Sequence, residues 1–219
     1  VSEHAFPPEQ REAVYRVIAE RRDMRHFCGG EVPADVLQRV LAAAHQAPSV
    51  GLMQPWRFVR ITDETLRGRI HDLVREETER TAAALGERAA EFARLKVEGI
   101  AECAELVVVA LTEDRERHVF GRRTMPHMDL ASAACAIQNL WLAARAEGIG
   151  MGWVSLFEPA ELAALLGFPA GAEPIAVLCL GPVEEFYPRP MLEDVGWTTA
   201  RPLSELIAEN GWPTTSPNA

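Results

Sequence analysis

Apolar positions change their spacing several times along the chain, and each change marks an element. From Pro8 to Arg22 they recur with helical period, placing Val14, Val17 and Ile18 on one face. Pro33 suits the opening turn of a second helix, in which Leu37, Val40, Leu41 and Ala44 share a face and which stops near Pro48. Arg57-Phe58-Val59-Arg60-Ile61 alternates like a strand, and Asp63 can cap the helix that follows. Thr65 to about Ile100 is helical and heavily charged, with a break near Gly86. Leu106 to Leu111 is continuously apolar, the mark of a buried strand. After a polar, arginine-rich connection from Glu113 to His127, the helix from Leu130 to Glu147 is apolar almost all round. Such a helix belongs either at the centre of the molecule or in a subunit interface. Met151–Leu156 and Pro174–Leu180 supply further strands around a short helix near Glu161–Leu166, and the proline- and tryptophan-rich C-terminal piece reads as an extended arm.

No internal repeat or low-complexity linker divides the 219 residues, so one domain spanning 1–219 is expected. Strands separated by helices, with a long tail, predict a three-layer α+β domain whose subunits interlock. A formal net charge of -10 argues against a general nucleic-acid or anionic-membrane surface. No apolar stretch is long enough to span a membrane, and Val1-Ser2-Glu3-His4 carries no secretory pattern. Cys28, Cys103, Cys135 and Cys179 are scattered, the last three in apolar stretches where burial is expected. These features together predict a cytoplasmic protein. The six histidines show no ligand spacing, so no metal centre is expected.

Three segments carry candidate chemistry. Arg21-Arg22-Asp23-Met24-Arg25 concentrates three guanidiniums in an acidic chain, either as a phosphate site or as a solvated helix end. Ala47-Pro48-Ser49-Val50-Gly51-Leu52-Met53-Gln54-Pro55-Trp56 is a loop whose backbone groups can bond a planar heterocycle, or a plain connection closed by a core tryptophan. Gly148-Ile149-Gly150-Met151-Gly152-Trp153-Val154-Ser155 enters a strand from a helix, the reverse of a dinucleotide fingerprint. Its glycines are expected to end the helix and let backbone approach a flat ligand.

In this order and spacing the three segments resemble the nitroreductase-like flavoproteins, over nearly the whole chain. The resemblance implies a central mixed sheet flanked by helices and a homodimer that exchanges its C-terminal arms. FMN would lie at the dimer interface, with Arg21, Arg22 and Arg25 on its phosphate. Ser49, Met53 and Gln54 would lie along the ribityl chain or ring, and Val154 and Ser155 at the reactive ring edge. Met24 belongs to the same cofactor-binding set. Asp23, where ordinary members carry serine, and Gln138-Asn139-Leu140-Trp141 through Gly148 are similar to the branch that consumes reduced FMN. With dioxygen, that branch fragments the flavin to dimethylbenzimidazole, the lower ligand of vitamin B12, and erythrose 4-phosphate.

On that reading Asp23 moves a proton at the ribityl C1′ or orients a polar partner, and the nearby arginines keep it ionised and weakly basic. A structural salt bridge aligning Arg22 or Arg25 is the other reading of Asp23. Ser155 donates to the flavin or steers the oxygen chemistry through a hydrogen bond. Residues 78–100 form a candidate lid with Leu95 and Lys96 nearest the site, or a solvated surface helix, and Arg201 reaches the phosphate from the arm. A separate flavin reductase would supply reduced FMN, since no nicotinamide-binding signature is present. The rival functions are an FMN-dependent NAD(P)H nitroreductase or quinone reductase, and a non-catalytic carrier of reduced flavin.

Overall fold

The computed structural model of the protein describes residues 3–212. Helices α1 (Pro8–Glu20) and α2 (Ala34–His45) precede strand β1 (Trp56–Ile61) and the long helix α3 (Glu64–Ala84). A single-turn helix α4 (Ala89–Phe92) and strand β2 (Glu105–Leu111) lead into helix α5 (Met128–Ala146). Strand β3 (Gly150–Val154), helix α6 (Pro159–Leu166), strand β4 (Glu173–Gly181) and the short helix α7 (Met191–Asp194) follow. Local chemistry sets the boundaries. Asp63 accepts the Leu66 N–H at 2.7 Å and caps α3, as its position predicts. Gly148, at φ +75°, stops α5, and the Ile149 N–H reaches back to the Ala144 carbonyl at 2.8 Å.

The strands lie in the order β1-β2-β4-β3, every neighbouring pair antiparallel. Among the described residues the parallel component is an isolated bridge from Asp23 to Met151, beside edge strand β3. Side chains alternate between two cores. Val107, Val109, Leu178 and Leu180 pack with α2 and α5, while Leu106, Val108, Val177 and Cys179 pack with α3 and α6. Helices on both faces of one sheet give the three layers expected, and double burial explains the unbroken apolar run of β2.

Several expectations change. No residue of α1 is buried, and Val14 and Ile18 are about half exposed. The helix is held mainly at its end, where Arg145 of α5 grips the Glu20 carboxylate at 2.7 Å. Residues 93–100 are irregular rather than helical, because Gly99 turns in so tightly that a Cβ there would lie 2.5 Å from the Phe27 ring. Helix α5 buries one side, but Leu130 and Cys135 lie on an exposed stripe, so Cys135 is not buried whereas Cys103 and Cys179 are. The connection before α5 hides an ion triad that composition did not reveal. Asp129 Oδ2 accepts from Arg115 Nε and Arg122 Nη2, each at 2.9 Å, with all three side chains nearly inaccessible. Beyond β4 the arm first folds back over its own chain, then presents Leu203, Leu206, Ile207 and Trp212 to solvent. No helix among the described residues is long and apolar enough to cross a membrane.

Candidate active site

Residues 21–25 run alongside β3 in a segment that is neither helix nor continuous strand. The Met24 N–H donates to the Met151 carbonyl at 2.9 Å. Trp141 Nε1, from α5, donates to both the Arg22 and Met151 carbonyls at 3.1 Å. An approach this close needs glycine. A Cβ on Gly152 would lie 2.2 Å from the Met24 carbonyl oxygen, and one on Gly150 would lie 2.4 Å from Val183 Cγ1. The glycines of β3 therefore make room for protein, which corrects the expectation that they admit a flat ligand.

This floor opens into a cavity of about 330 Å³. Arg21, Arg22, Asp23 and Arg25 form one wall, and Trp153 to Leu156 another. Phe92, Leu95 and Val97 roof it from one direction; Pro190, Met191, Leu192 and Trp197 roof it from the arm.

The arginines are not interchangeable. Arg21 stacks its guanidinium 4.5 Å from the Trp141 ring centre. Arg22 donates to the carbonyls of Ala19, Arg21 and Pro188 at 2.7, 2.7 and 3.0 Å. Arg25, only 11% exposed, donates from Nη2 to Asp23 Oδ2 at 2.6 Å and to the Trp153 carbonyl at 2.8 Å. Among the described residues neither Arg21 nor Arg22 forms a close ion pair, although Asp23 feels the charge of Arg21 and Glu20 that of Arg22. Arg22 Nε and Arg25 Nη1 are buried donors with no partner.

Asp23 is fixed on both oxygens, since Oδ1 accepts the Trp153 N–H at 3.0 Å. Its side chain is 42% exposed, with its open side on the cavity. Even so, burial pushes its carboxyl above the usual carboxylate range, outweighing the opposing pull of Arg25, the Trp153 N–H and Arg21. The sequence suggested the reverse, with the arginines prevailing. Desolvation wins because most of the carboxyl's surroundings are protein and only part of its field is the cation's.

Other candidates lie elsewhere. The Met24 side chain points into the core, 1% exposed, and only its backbone serves the site. Ser49, Met53 and Gln54 are not on this cavity. Met53 and Gln54 line a separate hollow with His45 and Trp56, and Ser49 Oγ accepts the Gln54 N–H at 3.0 Å. The loop spends the amides of Leu52, Met53 and Gln54 on itself and that of Val50 on Ser132 Oγ of α5, and holds Leu52 and Gln54 at φ +53° and +47°. Lys96 pairs with Glu102 at 2.9 Å. Arg201 is exposed and paired with Glu205, away from the arginine wall. The candidate lid divides: 78–84 belong to α3, with Thr78 Oγ1 bonded to the Val74 carbonyl, and only residues beyond Gly86 reach the cavity. Phe92 falls inside the lid read from sequence without being singled out there; missed altogether were the arm residues of the roof, whose sole signal was the tail's proline and tryptophan content.

Residues 18–182 match the nitroreductase family, a span that includes the arginine wall, the loop and β3. The chain belongs to the nitroreductase family. A 5,6-dimethylbenzimidazole synthase from Rhodospirillum rubrum is 41% identical over 90% of this chain and 94% of its own length. Among solved structures of the nitroreductase fold, a BluB-like flavoprotein from Clostridium difficile superposes with a TM-score of 0.68, at 20% identity over 92% of this chain and 99% of that one. An iodotyrosine deiodinase bound to FMN and 3-iodo-L-tyrosine superposes at 0.65, with 24% identity over 80% of this chain and 94% of that one. A flavin phosphate fits the arginine wall on this chain's own terms. Two buried guanidinium N–H groups there lack acceptors, and three arginines line one wall.

Proposed function

We propose that this nitroreductase-family chain is a 5,6-dimethylbenzimidazole synthase, which uses dioxygen to fragment reduced FMN into 5,6-dimethylbenzimidazole and erythrose 4-phosphate. The observation that carries the reading is Asp23. A carboxyl gripped on both oxygens among the arginines opposes anion binding, which points to a role in proton transfer instead. Bound reduced FMN supplies the electrons that dioxygen accepts. Arg21 and Arg22, with the free N–H of Arg25, hold the phosphate. Asp23 takes a proton at the ribityl C1′, and its raised pKa makes it a stronger base than an ordinary aspartate. Ser155 donates a hydrogen bond at the ring edge, and the apolar roof keeps water from competing.

The functional unit on this reading is a homodimer with exchanged arms. The exposed faces of α1 and α5 and the apolar tail offer the surface for it. The Ser49–Gln54 loop of one subunit then completes the cavity of the other, which accounts for its distance from the arginines of its own chain. Residues 86–99 act as the mobile part of the lid, within the 78–100 span read from sequence. A separate cytoplasmic flavin reductase delivers the reduced FMN.

Mixing the protein with chemically reduced FMN in air and analysing the products tests this directly. Appearance of 5,6-dimethylbenzimidazole is expected. Quantitative recovery of FMN would instead indicate a carrier, and NADPH-driven bleaching followed by nitroaromatic turnover would indicate an ordinary reductase.

A further inference from the structure

The cavity roof consists of two strips that are far apart in sequence and weakly held on their own. One is the turn 86–97, built from a 3-10 turn, the four residues of α4 and irregular chain. The other is 188–197, with only the four residues of α7 and no strand partner. They meet at Trp197. The Arg88 guanidinium lies 3.4 Å over the Trp197 ring centre, and Arg88 Nη2 donates to the Trp197 carbonyl at 3.0 Å. Glu91 holds Arg88 in place through both oxygens, at 2.9 and 3.2 Å. The Phe92 ring sits 6.2 Å from Trp197 on the cavity side and is 8% exposed. At the other end of the second strip, Arg22 Nη2 bonds the Pro188 carbonyl, so this strip runs from the arginine wall to the lid.

From this geometry we infer that Trp197 and Arg88 form a latch that keeps reduced flavin inside the cavity long enough to be fragmented. The inference rests on the proposed synthase reading. Reduced flavin has a competing fate with the same oxidant: FMNH₂ + O₂ → FMN + H₂O₂, in which two electrons and two protons pass to dioxygen and no carbon bond breaks. An enzyme that consumes its flavin must hold it through the slower carbon chemistry, so the roof decides the partition. Loss of a cation stacked on an indole at an exposed site corresponds to roughly two- to fivefold faster release.

The test uses Trp197→Ala and Arg88→Gln in the full chain, read in two ways. The first is the dissociation rate of oxidised FMN, followed by recovery of its fluorescence on dilution. The second is the ratio of 5,6-dimethylbenzimidazole to H₂O₂ formed per reduced FMN consumed in air. Both variants should release FMN about two- to fivefold faster and shift the ratio toward H₂O₂, while Trp197→Phe, which keeps an aromatic face, should lie between them and wild type. Unchanged release in both alanine and glutamine variants overturns the latch, whatever the products. If wild type makes no benzimidazole, the synthase reading fails on its own, and the release rates still decide whether the latch exists. Should Trp197→Ala not fold, Arg88→Gln alone carries the decision, because Arg88 is a surface residue whose loss leaves the core intact.

Discussion

Asp23 shows how one carboxyl answers to several neighbours at once. Arg25 and the Trp153 N–H orient it, and burial raises its pKa. Replacing it with Asn keeps the size and one acceptor oxygen. FMN affinity should then change little, while benzimidazole formation drops by about 10²–10⁴, the usual weight of a general base. Loss of FMN binding in step with activity would show that the salt bridge to Arg25 is its whole purpose. The pH dependence has a definite sign. Because the folded pKa lies above the unfolded one, the neutral carboxyl favours folding. That contribution is complete below the unfolded pKa and is lost as pH rises through the folded value. The rate runs the other way, rising with pH through that value as the carboxylate forms. Thermal unfolding of wild type and Asp23→Asn across this range should show the variant gaining relative stability as pH rises. Sequence picked out Asp23 through its place among the arginines. It did not reveal the direction of the shift, because desolvation depends on Trp153 and on a roof assembled from residues about 70 and 170 positions away in the chain.

Elements here are defined as much by close approaches as by periodicity. Gly152→Ala sets a methyl against the Met24 carbonyl, a backbone atom that cannot rotate away. The variant should lose roughly 1–3 kcal/mol, as overpacked sites do, and bind FMN more weakly because the 23–25 segment is pushed off β3. Denaturant unfolding and flavin titration together check this. Asp129→Asn removes the charge that two buried arginines share, and should cost about 3–5 kcal/mol in the same unfolding experiment. Helices α2, α3 and α6 and the four strands were legible because their periodicity reports a buried face directly. The glycines of β3 were visible but misattributed, since spacing alone does not tell whether the atom they admit belongs to a ligand or to another part of the chain. The charged run after Gly86 read as helix because its composition is helical; Gly99 against Phe27 overrides it.

For the molecule as a whole, the amphipathic patterns that failed to find a core are as informative as those that did. Val14 and Ile18 on α1, Leu130 on α5, and Leu203, Leu206, Ile207 and Trp212 in the arm have helical or apolar character yet remain exposed. If the arm is exchanged between subunits, a chain ending at Thr199 should shift from dimer toward monomer in sedimentation velocity, and an unchanged dimer would rule the exchange out. The bridge between Asp23 and Met151 has a consequence for kinetics. It joins the segment between α1 and α2 to an edge strand more than a hundred residues later, across which most of the sheet must already be assembled. Loop-closure entropy and high contact order place such a pairing late. In refolding, helical circular dichroism should therefore recover before the chain can quench flavin fluorescence, and a nascent chain has no flavin site until β3 has been made and docked.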